Sequence, residues 1–219
     1  MLIIRAVNGN SVSEECVKPL QRRQRERLQR RADILQAAER VFATKGFHAA
    51  SIEEIAHTAE YGTGTVYLYF KDKQSLYIEL FEDKMRDLSA SIHERVRGAT
   101  HPLDGLRRLI SARLEYFEHN RAFFQVYARE GLDSDLGREA RWQGVRRAFA
   151  SNLALVTRLI AAGQKRQLLR RGDARRLAVA LSGMMIQLTR DWLRQGEVDP
   201  LTNQVDFVLE LFLRGAQQE

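Results

Sequence analysis

Apolar residues recur along this chain at the three- and four-residue spacing of helices, and no stretch shows the strict alternation of a half-buried strand. From about Arg25, the positions Ile34, Ala37, Ala38, Val41 and Phe42 fall on one face, and Gly46 then supplies a stop. Ser51 and Glu54 form the S-x-x-E pattern of a capping box. It opens a second helix of about two turns, with Ile52, Ile55, Ala56 and Ala59 as its apolar side. After a break at Glu60, Tyr61 and Gly62, a third short segment runs from Thr63 to Phe70. Asp72 caps a fourth helix that carries Tyr77, Phe81, Met85, Leu88 and Ile92 to about Val96.

The helical spacing continues past Pro102, first through Leu106, Leu109, Ile110 and Phe117, then through Phe123, Phe124 and Tyr127. Trp142, Val145, Phe149, Leu153, Val156 and Ile160 define a further helix, as do Leu177, Leu181, Met184, Leu188 and Trp192. Val205, Val208, Leu209 and Phe212 define the last. Pro19, Pro102 and Pro200 fall between these segments and are expected to mark boundaries, since proline is excluded from helix interiors. Residues 1 to about 20 lack periodicity and read as a flexible tail. The pattern predicts an all-α protein of about nine helices, without internal repeats.

Two short helices joined by a three- or four-residue turn, packed on a longer preceding helix, are the scaffold that presents a recognition helix to the major groove. Residues 33 to 73 contain each part. In the third segment Val66 and Phe70, at i and i+4, are expected to anchor to the core. Thr63, Gly64, Thr65, Tyr67, Leu68 and Tyr69 are then left on the other side, rich in groups that hydrogen-bond phosphates or base edges. Only about a third of the positions of so short a helix can point at one core, so some of these side chains must be exposed. Gly64 permits a close backbone approach. Lys73, at the first turn of the fourth helix, is placed to hold a phosphate together with free backbone N–H groups.

Charge strengthens this reading. The 219 residues carry a formal net charge of +7, which favours a polyanionic partner. The run Lys18, Arg22, Arg23, Arg25, Arg27, Arg30 and Arg31 precedes the first helix proper and reads as a nucleic-acid arm. Cys16 is the single cysteine, so no intrachain disulfide framework is possible, as expected of a cytoplasmic protein. The opening residues do not read as a secretory leader, and no apolar run reaches the length of a membrane helix, so no membrane partner is expected.

The segment ILQAAERVFATKGFHAASIEEIAHTAEYGTGTVYLYFKDKQSLY resembles the tetracycline-repressor (TetR) family of bacterial regulators, over about Arg30 to Leu88. The resemblance rests on a first helix ending in Gly-Phe, a Ser-initiated second helix, Gly-Thr-hydrophobic-Tyr-x-Tyr-Phe, and Lys-x-Lys. It implies that Thr63, Thr65, Tyr67, Leu68 and Tyr69 touch DNA, Leu68 as an apolar contact to a thymine methyl, while Ser51 and Lys73 hold phosphates. The chain departs from the family pattern at Glu60, Tyr61 and Gly62, where many members have Gly-Val-Ser. Tyr61 is expected to fill the space between helices, and Gly62 to begin the third.

By the same resemblance the domains are a flexible basic tail at 1–24, a helix-turn-helix DNA-binding domain of three helices at 25–73, and a larger helical effector-binding and dimerisation domain at 74–219. Phe117, Phe124, Tyr127, Trp142, Phe149, Met184 and Gln187 are the candidate effector contacts, with His119 and Asn152 as further polar candidates. So few polar groups favour an apolar or aromatic effector. Ala178, Leu181 and Met185 on one helix, and Phe207 and Leu211 on another, are the candidate homodimer interface.

The expected function is therefore sequence-specific binding of a palindromic double-stranded operator. The protein is expected to act as a repressor released by a small molecule, and no cofactor or metal is expected. Enzyme activity is not expected, since the chain has no zinc-protease motif, phosphate loop, nucleophile elbow or cysteine–histidine set. The rival reading is a helical adaptor without sequence-specific DNA binding. Salt-sensitive binding to a short palindromic duplex separates the two.

Overall fold

The computed structural model describes residues 14–129, 142–195 and 199–216, and among them every regular element is helical. Helix α1 spans Glu14–Ala49, α2 Ile52–Thr58, α3 Thr63–Tyr67 and α4 Lys73–Val96. There follow α5 Pro102–His119, α6 Arg121–Arg129, α7 Gln143–Lys165, α8 Ala174–Arg194 and, after one 3-10 turn at Leu201–Asn203, α9 Gln204–Ala216.

Two boundaries differ from expectation. Residues 14 to 24, expected as tail, are already helical, and Pro19 lies inside α1 instead of ahead of it. At Gly46 the helical path is interrupted as expected, with φ at 80° and ψ at 174°, and one more turn then runs to Ala49. Helix α3 ends at Tyr67, not Phe70. The reason is Asp72, whose extended backbone (φ −156°) is needed for its carboxylate to accept from Ser75 N–H at 2.6 Å, so the chain must leave the helical path before it.

Pro102 stands in the first turn of α5, where its missing N–H costs nothing. Helix α4 is the spine. It packs against α1 on one side and against α5 and α7 on the other, and so touches both the N-terminal helices and the larger bundle. Its apolar face, Leu76, Tyr77, Leu80, Phe81, Met85, Leu88 and Ile92, is buried throughout. Ion pairs fasten its polar edge to α1, from Arg31 to Glu79 at 2.5 Å and from Lys84 to Glu39 at 2.7 Å. None of the described helices is long and apolar enough to cross a membrane.

Candidate nucleic-acid interface and effector cavity

The short helix α3 is oriented by what precedes it. Ser51 Oγ accepts from Glu54 N–H, and the Glu54 carboxylate accepts in return from Ser51 N–H, so the capping box read in the sequence is complete. Lys45, hydrogen-bonded to Glu54, is the main reason that the Glu54 carboxyl sits below the usual range, with the Ser51 N–H adding to it. At the other end of α2, Tyr61 N–H donates to Ala56 O at 2.9 Å and Glu60 N–H to His57 O at 3.1 Å. These two bonds form a Schellman motif, and Glu60 occupies its left-handed position with φ at 59°, where glycine is favoured. Tyr61 packs against the core, and its hydroxyl donates to Asp33 Oδ2 at 2.8 Å, which ties the turn to α1. Gly62 then caps α3.

Within α3, Val66 is fully buried, and Phe70 just beyond the helix is 1 % exposed. Tyr67 and Leu68 point outward, 53 % and 78 % exposed. Thr63 and Thr65 are half-buried, Gly64 is exposed, and Tyr69 is half-buried against the core. A Cβ built on Gly64 would meet nothing within 4 Å. The chain itself therefore does not need a glycine there.

Lys73 differs from expectation. Its ammonium donates to Ala50 O at 2.7 Å and to His48 O at 3.0 Å, and it stands 4.8 Å from the centre of the Phe47 ring. Two of its three donors thus fasten α4 to the junction between α1 and α2 instead of pointing freely outward. Arg31 likewise leaves the basic run, engaged with Glu79 and Asp83. Residues 22 to 30 remain exposed.

In the larger bundle, two adjoining cavities of about 120 and 300 Å³ share Arg113, Phe149 and Ile186 in their walls. Phe117 and Phe124 also line the smaller one, and Asn152, which accepts a hydrogen bond from Ser89, lines the larger. Other expected contacts lie elsewhere. Trp142 is buried edge-on against Phe81 ahead of α7, Met184 is half-buried outside both walls, and Gln187 is exposed. The Tyr127 side chain falls outside the described residues. His119 turns back to the Glu115 carbonyl. Sequence reading missed Arg113, which carries no signal there beyond being an arginine on the apolar face of α5.

Of the residues expected at a dimer interface, Ala178, Leu181 and Met185 are fully buried within the protomer, because α8 turns that face toward the bundle. They are corrected to core residues. Phe207 and Leu211, one turn apart on α9, are each 51 % exposed, as is Val179 on α8.

Comparison with known proteins adds to this geometry. Residues 34–80 match the family model of the bacterial regulatory proteins, tetR family. The fatty acid metabolism regulator protein of Bacillus subtilis is 26% identical over 185 residues, 83% of this chain and 93% of that protein. The HTH-type transcriptional repressor KstR2 of Mycolicibacterium smegmatis is 33% identical over 101 residues, 46% of this chain and 49% of its own. Among solved structures, the fatty acid degradation regulator FadR from Bacillus halodurans superposes with a TM-score of 0.70 at 25% identity, covering 85% of this chain and 99% of that one.

Proposed function

Since the chain belongs to the tetR family of bacterial regulatory proteins, we propose that it grips a palindromic operator as a cytoplasmic homodimer and represses transcription until a small molecule enters the cavity. The observation that carries the reading is the outward pair Tyr67 and Leu68, held by the buried Val66 and Phe70. An apolar side chain as exposed as Leu68 costs free energy in water and gains a purpose against a thymine methyl. Thr63, Thr65, Tyr67 and Tyr69 supply hydroxyls to base edges and phosphates, and Gly64 lets the backbone close on the duplex. Ser51, the third donor of Lys73 and the exposed arginines between 22 and 30 hold the phosphate backbone.

The effector has an apolar or aromatic body, in keeping with walls that contain Phe117, Phe124 and Phe149. A relative named for fatty-acid metabolism supports the same class. Its signal runs along packed rings. Phe81 and Phe124 of the cavity wall meet Phe123, which stacks on Tyr77, and Tyr77 in turn abuts Phe42 and Phe47 of α1. A ligand that displaces Phe81 tilts α4 and alters the separation of the two reading heads in the dimer. The interface uses Phe207, Leu211 and Val179.

Selection of duplexes bound by the full chain from a random library tests this reading. A palindromic motif with half-sites about one helical turn apart is expected. Enrichment of no motif would reduce the protein to a non-specific DNA binder or a helical adaptor.

A further inference from the structure

Among the described residues the walls of the two cavities contain no aspartate or glutamate, yet each contains Arg113. This arginine is only 5 % exposed, its Nε has no hydrogen-bond partner, and its guanidinium rests over the Phe117 ring at 5.8 Å. Burial lowers its pKa to about 10, which still leaves it charged at neutral pH. An uncompensated buried cation is costly, and a protein retains one where a ligand completes it. A second unsatisfied donor lies in the smaller cavity, since Thr189 Oγ1 is buried without a partner. Arg194 lines the same cavity and adds positive potential.

We propose that the effector is an amphipathic anion, whose single acidic head group pairs with Arg113 where the two cavities meet while its apolar body fills the space beside Phe149 and Ile186. The planar guanidinium offers a carboxylate or sulfonate paired N–H donors, and Thr189 offers a further hydroxyl. The proposal rests on the reading of the cavity as the effector site and narrows the effector from any apolar molecule to an organic acid.

Two fluorescent probes with one body separate charge from shape: 1-anilinonaphthalene-8-sulfonate, and N-phenyl-1-naphthylamine, which lacks the sulfonate. The full-length protein is expected to bind the sulfonate at least about tenfold more tightly, the discrimination of one charge-assisted hydrogen-bonded contact. Arg113→Met should abolish that preference while keeping the neutral probe, Arg113→Lys should keep part of it, and Ile186→Trp should exclude both probes by filling the shared wall. Arg113→Met should also raise the melting temperature of the free protein by roughly 3 °C or more, as an unpaired buried charge is removed. If Arg113→Met misfolds, the proposal stands or falls on the same loss of preference in Arg113→Gln. Unchanged sulfonate binding in the Arg113 variants, with Ile186→Trp still excluding both probes, overturns the anion site and leaves the effector cavity standing. Sulfonate binding that survives Ile186→Trp lies elsewhere and overturns the proposal too. Binding of neither probe to the wild type overturns both readings.

Discussion

Glu60 is the residue at which local strain and proposed function conflict most openly. Its left-handed backbone costs about 1–2 kcal/mol in any residue with a Cβ, and its carboxylate lies beside the helix proposed to meet phosphate. Glu60→Gly relieves both, whereas Glu60→Gln removes the charge alone. Glycine is expected to raise unfolding stability by about 1 kcal/mol, glutamine to leave it within about 0.5 kcal/mol, and both to strengthen operator binding. Denaturant unfolding together with duplex titration checks this, and equal stability of the two variants would show that the turn is unstrained. Gly64 gives the opposite trade. Open space around it means that Gly64→Ala should gain about 0.5–1 kcal/mol of helix stability and yet lose operator affinity, because the new methyl group keeps the duplex away. Unchanged affinity in that variant would remove Gly64 from the interface. At this scale the sequence disclosed the buried Val66 and Phe70 and the packing of Tyr61 against the core, which follow from helical spacing and size. It hid the left-handed residue, since the neighbouring Gly62 looks like the natural bearer of that conformation and instead caps α3 in an extended one.

Among the elements, α4 is the one that links the two regions. Tyr77 lies between the α1 rings Phe42 and Phe47, 5.2 Å from each, and Phe123 of α6 at 5.8 Å. Tyr77→Leu keeps an apolar core side chain but removes the ring that joins them. The variant is expected to bind effector and operator nearly as the wild type does while losing most of the effector-induced release, as measured by operator titration with and without ligand. Full release in that variant would show that the rings are packing only. Element boundaries were legible where their cause is local, as in the Ser51–Glu54 box and the Asp72 cap. They were not legible where tertiary packing decides. Neighbouring positions on a helix point about 100° apart, so the choice between Met184 and Met185 as the buried methionine of α8 depends on how α5 and α7 pack against it, which spacing alone does not encode. Three aromatic cavity residues, Phe117, Phe124 and Phe149, could be picked out because aromatics cluster. Arg113 could not, because its meaning comes from its burial in the cavity wall with Nε unpaired and no acidic partner among the described residues.

For the whole molecule, a reading head of only five helical residues needs a second one to bind DNA with useful affinity, and the proposed symmetric dimer on a palindrome would supply it. Glutamate at both Phe207 and Leu211 is expected to yield monomers in sedimentation and to weaken palindrome binding by roughly a hundredfold or more, with the helical circular-dichroism signal retained. A stable dimer of that variant would place the interface on another face. The all-helical architecture was legible from periodicity alone. The way α8 and α9 divide between core and outer face was not, because a buried stripe and an interface stripe look the same in one sequence. Whether α3 reads DNA is measured directly by a fluorescence-anisotropy titration of the selected palindrome with the wild type and Tyr67→Ala. Tyr67→Ala is expected to lose affinity by about tenfold or more with an unchanged helical signal, and the wild-type affinity to depend on salt. Equal affinity of the two proteins, or a Tyr67→Ala variant that fails to fold, would contradict it.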